Sequence, residues 1–122
     1  MANKISTNNE KIEEILLRSV DTIYPTRESF KELLLSGKQI SVYVGIDPTA
    51  DYVHLGHSTN YLILERLHKL GHKITVLVGD FTAMIGDPSD KTSARVQLTR
   101  DGILVNLKSF KDQIGKILDF DN

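Results

Sequence analysis

The sequence predicts an α/β fold in which a parallel βαβ unit follows amino-terminal helices, and three observations carry that expectation. Two short runs, Gln39 to Ile46 (QISVYVGI) and Lys73 to Val78 (KITVLV), have the β-branched and aromatic composition of strands. Between them, from about Gly56 to Leu70, lies a stretch with helical periodicity, long enough to connect two parallel strands by the right-handed crossover that such units nearly always take. Each strand run is followed by a polar loop rich in turn-forming residues.

Taken in order, the first element is a helix from about Asn8 to Ile23, with Ile12, Ile15, Leu16, Val20 and Ile23 on one apolar stripe. Thr7 and Glu10, three apart, have the spacing of a capping box, and Pro25 ends the element. A second helix, Arg27 to Ser36, carries Phe30, Leu33 and Leu34 and stops at Gly37, a residue suited to a left-handed cap. The crossover helix, closed by Gly71, has Tyr61, Leu62, Ile63, Leu64, Leu67 and Leu70 on more than one face and should be well buried. The strand Lys73–Val78 has almost no polar alternation, which predicts cover on both faces. The last helix spans about Gln97 to Leu118, with Ile103, Leu107, Phe110, Ile114 and Ile117 on one stripe. These elements divide the chain into an amino-terminal helical segment, 1–38, and an α/β segment, 39–122. Two strands are too few for a finished sheet, because both would keep an open edge.

Composition narrows the function classes. The chain has 122 residues, enough for one ordinary domain. Fifteen basic and sixteen acidic side chains give a net charge of −1, without the basic excess that marks a nucleic-acid-binding surface. There is no cysteine, which removes disulfides and thiolate metal sites. No apolar run reaches the length of a membrane span, and the first residues do not have the pattern of a signal peptide, so a cytoplasmic location is expected.

Ligands of open parallel sheets bind beyond the carboxyl ends of the strands. Both long loops, Gly45–His57 and Gly79–Arg95, leave from those ends, so neighbouring strands would bring them to one crevice. In the first loop Gly45 permits close approach to the backbone, Pro48 fixes a turn, and Asp47, Thr49 and Asp51 offer polar contacts. His54 and His57 flank Gly56 at a helix start, where free amides favour anions, and two imidazoles there suit a polyphosphate. The alternative is a helix-start pair with no ligand. A zinc site would need further ligands at supporting spacing, and none is predicted. His68 and His72 are expected as a solvent-facing and a helix-end histidine.

The second loop is longer than a strand-to-helix connection needs, which favours a functional loop over a plain surface turn. Lys91 and Arg95, four apart, read by themselves as a solvated basic pair. The GxxxxGK[ST] phosphate loop is absent.

The strings YVGIDPTADYVHLGH, then Gly71-His72, then VGDFTAMIGDPSDK resemble the tyrosyl-tRNA synthetase family in order and separation. His54-Leu55-Gly56-His57 looks like the HIGH signature of class I synthetases, and GIDPTAD with IGDPS narrows the match to the tyrosyl branch. The resemblance covers nearly all of the chain after Gln39. It implies a partial Rossmann-like nucleotide-binding fold and a two-step reaction, in which tyrosine and ATP give tyrosyl-adenylate and the tyrosyl group then passes to tRNA(Tyr). Carried over by motif, Thr49 and His54 would contact the polyphosphate and His57 the ribose, with Gly45, Asp47 and Gly56 lining the adenylate. Tyr43 would bind the phenol hydroxyl of tyrosine, joined by Asp47 and Thr82, and Asp87 would hold the ammonium. Lys91 and Arg95 would close over the leaving pyrophosphate. ATP with Mg2+ as its counter-ion is the implied cosubstrate, no protein-bound metal is implied, and the family implies a homodimer with no membrane association.

Two departures stand out. Val44 occupies a position where many members carry a cysteine that touches the ribose, and Asp90 replaces a common glycine before Lys91. The KMSKS-like second signature and the anticodon-binding region do not occur within the 122 residues, so the expectation is an incomplete catalytic centre, about half of one. The competing expectation is a non-catalytic ATP- or tyrosine-binding module.

Overall fold

The computed structural model describes residues 4–85 and 99–120. Within them the chain runs α1 (Asn9–Leu17), α2 (Arg27–Leu35), β1 (Ser41–Ile46), α3 (Leu55–Lys69), β2 (Lys73–Val78), α4 (Asp80–Ile85) and α5 (Arg100–Ile114). β1 and β2 pair in parallel, with Tyr43 opposite Thr75 and Gly45 opposite Leu77. The expected strand–helix–strand unit is therefore present, and the β2 boundaries match those read from the sequence.

The first helix is shorter than its apolar stripe suggests. It ends at Leu17, and Ser19 takes a left-handed φ of 64°. Val20, Asp21 and Thr22 are weak helix formers, so the segment has little to hold it helical. Ile23 still packs against the core, but from irregular chain. The N-cap is Asn8 rather than Thr7: its side-chain oxygen accepts the Lys11 N–H at 3.0 Å. α2 keeps its expected bounds, capped by Thr26, whose hydroxyl accepts the Ser29 N–H, and followed by Gly37 at φ 71°.

Two apolar clusters hold the elements together. Ile12, Ile15 and Leu16 of α1 and Leu34 of α2 meet Leu67 and Leu70 at the end of the crossover helix. Tyr61 and Leu64 of α3 meet Phe110, Ile114 and Leu118, and the inward side chains Val42, Val44, Ile74 and Val76 bridge sheet and helices. α5 starts later than expected, at a Thr99 cap that accepts the Gly102 N–H at 3.2 Å. It also stops earlier, before Gly115, yet Leu118 reaches the core from the turn beyond.

The sheet corrects one expectation. Both strands alternate exposed and half-buried positions, so one face is covered and the other is open. Ser41, Tyr43 and Gly45 with Lys73, Thr75 and Leu77 form the open face. Uniform hydrophobicity in β2 overstated its burial, since Leu77 is 58% exposed. His72 is a second correction. It is 3% exposed rather than at the solvated helix end, with Nδ1 accepting the Ile40 N–H at 3.5 Å. Gly71, at φ 97°, reverses the chain just before it and turns the imidazole inward. Burial lowers its pKa from the ordinary 6.5.

Candidate functional site

At the carboxyl ends of the strands the two loops do meet. Gly79, directly after β2, donates its N–H to the Ile46 carbonyl at 3.0 Å and extends the pairing by one residue. Thr82 of α4 then donates its hydroxyl to Asp47 Oδ1 at 2.7 Å. Gly45, Ile46, Asp47, Leu77, Gly79 and Thr82 line a shallow crevice of about 330 Å³ between the strand ends. A Cβ on Gly79 would displace Thr82 Oγ1 and Asp47 Oδ1, the ends of two exposed side chains, so glycine here leaves room for their hydrogen bond. A Cβ on Gly45 would meet nothing within 4 Å, leaving its backbone open to a ligand.

The histidine pair is built by the start of α3. His54 is the N-cap, in extended conformation, and its Nδ1 accepts the Gly56 N–H at 3.2 Å. His57 reaches back, its Nδ1 accepting the His54 N–H at 3.4 Å. The result is a capping box made of two imidazoles, where serine and glutamate usually serve. The rings stack with centroids 3.8 Å apart and planes 19° from parallel.

A ring nitrogen that accepts an N–H bond carries no proton there, which leaves Nε2 of each ring as the position that can donate to an anionic oxygen. Burial, and then the neighbouring His54, lower the pKa of His57 from 6.5.

The missing side chain of Gly56 makes room for the His54 ring, since a Cβ would lie 3.0 Å from Cε1 and 3.1 Å from Nδ1.

Of the other candidates, Thr49 lies exposed on the β1–α3 loop, and Tyr43 points from the open sheet face, 75% exposed. Val44 faces the opposite way, half-buried against the second apolar cluster. A side chain at 44 and one at 43 therefore leave opposite faces of β1. Asp87, Lys91 and Arg95, together with Asp90, lie outside the described residues. The structure thus joins Gly45, Asp47 and Thr82 in one crevice and His54, Gly56 and His57 in one cap.

Sequence reading missed three residues on α5. Asn106, Ser109 and Gln113 all hydrogen-bond the backbone of the β1–α3 loop. Their spacing of three, four and seven on one helix face was a usable signal, but polar residues beside an apolar stripe read as an ordinary solvated flank.

Comparison with known proteins follows the same lines. The family model for tRNA synthetases class I (W and Y) matches residues 35–122. The tyrosine–tRNA ligase of Carboxydothermus hydrogenoformans is 43% identical over 109 residues, covering 87% of this chain and 26% of the relative. That of Moorella thermoacetica is 42% identical over 108 residues, covering 86% and 26%. Tyrosine–tRNA ligase 2 of Vibrio parahaemolyticus is 41% identical over 102 residues, covering 84% and 26%. The chain spans about a quarter of the length of these curated relatives. With the family model spanning most of the sequence, and a parallel βαβ unit whose loops meet at the strand ends, the chain belongs to the class I tRNA synthetases of the W and Y family.

Proposed function

We propose that this chain is the ATP-binding part of a tyrosine–tRNA ligase, the enzyme that activates tyrosine with ATP and transfers it to tRNA(Tyr) in the cytoplasm. The observation that supports the reading is that the loop after β1 carries both Asp47, bonded to Thr82 in the strand-end crevice, and the histidine cap of α3.

In this reading a tyrosine carboxylate oxygen attacks the α-phosphorus of ATP. The bond to the bridging oxygen breaks, and pyrophosphate leaves with its electron pair. No side chain forms a covalent bond, so the protein contributes position and charge stabilisation. The Nε2–H of His54, with the Thr49 hydroxyl, donates to polyphosphate oxygens as negative charge builds on them, and His57 serves the ribose side.

Gly45, Asp47 and Gly56 border the adenylate, Tyr43 meets the phenol hydroxyl from the open face, and Thr82 and Asp87 complete the tyrosine site. Lys91 and Arg95 neutralise the departing pyrophosphate. Mg2+ enters as the counter-ion of ATP. The described residues contain no group of three His, Cys, Asp or Glu placed to hold a metal, and no step is assigned to a protein-held ion.

Tyrosine-dependent ATP–pyrophosphate exchange tests the reading. In a protein carrying this sequence at the full length of its relatives, His54→Ala should slow exchange 100-fold or more. A variant that exchanges at the parental rate would remove His54 from the reaction.

A further inference from the structure

We infer that Gln113 on α5, with Ser109 and Asn106, is a positioning residue for the two imidazoles, holding the β1–α3 loop so that His54 addresses the polyphosphate and His57 the ribose of one ATP. The inference rests on the reading that His54 and His57 meet ATP.

The loop from Pro48 to His54 has few backbone partners of its own, and α5 supplies them. Asn106 Nδ2 donates to the Pro48 carbonyl at 2.9 Å. The Asp51 carbonyl accepts two bonds, from Ser109 Oγ at 2.7 Å and from Gln113 Nε2 at 2.9 Å. Gln113 Oε1 accepts the Val53 N–H at 2.8 Å, and its Nε2 also donates to Ser109 Oγ at 2.7 Å. One amide side chain therefore grips the loop at both Asp51 and Val53.

Val53 immediately precedes the N-cap. Its N–H bond to Gln113 fixes the Tyr52–Val53 peptide plane, one residue before the plane whose N–H, that of His54, is the donor to His57 Nδ1. A rotation at Val53 would reorient that donor and dissolve the reciprocal cap, and with it the shared direction of the two rings. Loops without internal hydrogen bonds open at low free-energy cost, so a brace from a packed helix is an effective way to hold one geometry. α5 is itself anchored on its other side by Ile103, Phe110 and Ile114, all buried.

The experiment uses the isotope-labelled 122-residue chain and two variants, Gln113→Ala and Ile114→Val. The second shortens a buried side chain on the same helix and controls for a general loss of stability. Amide hydrogen exchange at Val53 and in β1, and the imidazole Nε2 resonances of His54 and His57 during titration with Mg2+-ATP, are followed together. Gln113→Ala should exchange the Val53 amide at least tenfold faster relative to the β1 amides, and weaken ATP binding at least fivefold. Ile114→Val should leave both ratios at parental values. Parental shifts at both imidazoles with Gln113→Ala unchanged in affinity would sink this inference alone. So would Val53 exchange that rises only in step with β1. ATP shifts that bypass both imidazoles in the parental chain would sink the polyphosphate reading and this inference together.

Discussion

His72 shows how a single buried side chain ties stability to pH. Its folded pKa lies below 6.5, whereas the unfolded chain titrates near that ordinary value. The unfolded state therefore binds more protons as pH falls below 6.5, and stability drops until the folded value is passed. His57 is shifted in the same direction and adds to the slope. Above 6.5 both contributions are fully present. The denaturant midpoint should fall between pH 7.5 and 5, and an NMR titration of the His72 ring should give a value below 6.5; a midpoint flat across that range contradicts the assignment. Gly79 is the other decisive position. Gly79→Ala pushes aside the exposed side-chain ends of Asp47 and Thr82 and should cost about 0.5–1.5 kcal/mol in unfolding free energy, that of their lost hydrogen bond. Tyr43→Phe, by contrast, removes a hydroxyl from a side chain 75% exposed and should leave stability within about 0.5 kcal/mol. If Tyr43 reads the phenol of tyrosine, the same change in the full-length protein erodes selectivity against phenylalanine, measured as the ratio of kcat/KM values.

Among the elements, helix ends were the least legible in the sequence. The capping-box spacing pointed to Thr7, and the turn placed the cap one residue on, at Asn8. α5, expected from about Gln97, begins after a Thr99 cap. Thr99→Ala should destabilise the chain by about 1 kcal/mol in urea unfolding, the ordinary cost of a lost N-cap. Core positions were easier. Ile12, Ile15, Leu16, Leu67, Phe110 and Ile114 were all read from helical spacing and are all buried. Ile12→Ala, at a residue with no exposure, should cost about 2–5 kcal/mol. The β1–α3 loop sits between these cases. Its residues were singled out from their types, but the α5 side chains that hold it are some sixty positions away along the chain, and no local pattern relates them.

At the scale of the molecule, α1 and α2 pack against the far end of α3, while α5 packs against its other end and the covered sheet face. The strand-end crevice opens at the carboxyl ends of β1 and β2, and the histidine cap begins α3 at the end of the loop that follows β1. The sequence by itself determined the element types, their order, the parallel unit they imply, and the family resemblance, because hydrophobic period and turn residues are local properties of the chain. It also singled out Asp47, Thr82, His54 and His57. Tertiary structure alone decided that one sheet face stays open, that His72 turns inward, that Gly56 makes room for the His54 ring, and that α5 grips the loop. Each of these depends on which surfaces meet in space. Burial and hydrogen-bond pairing are properties of two segments at once, and a linear string states only one segment at a time.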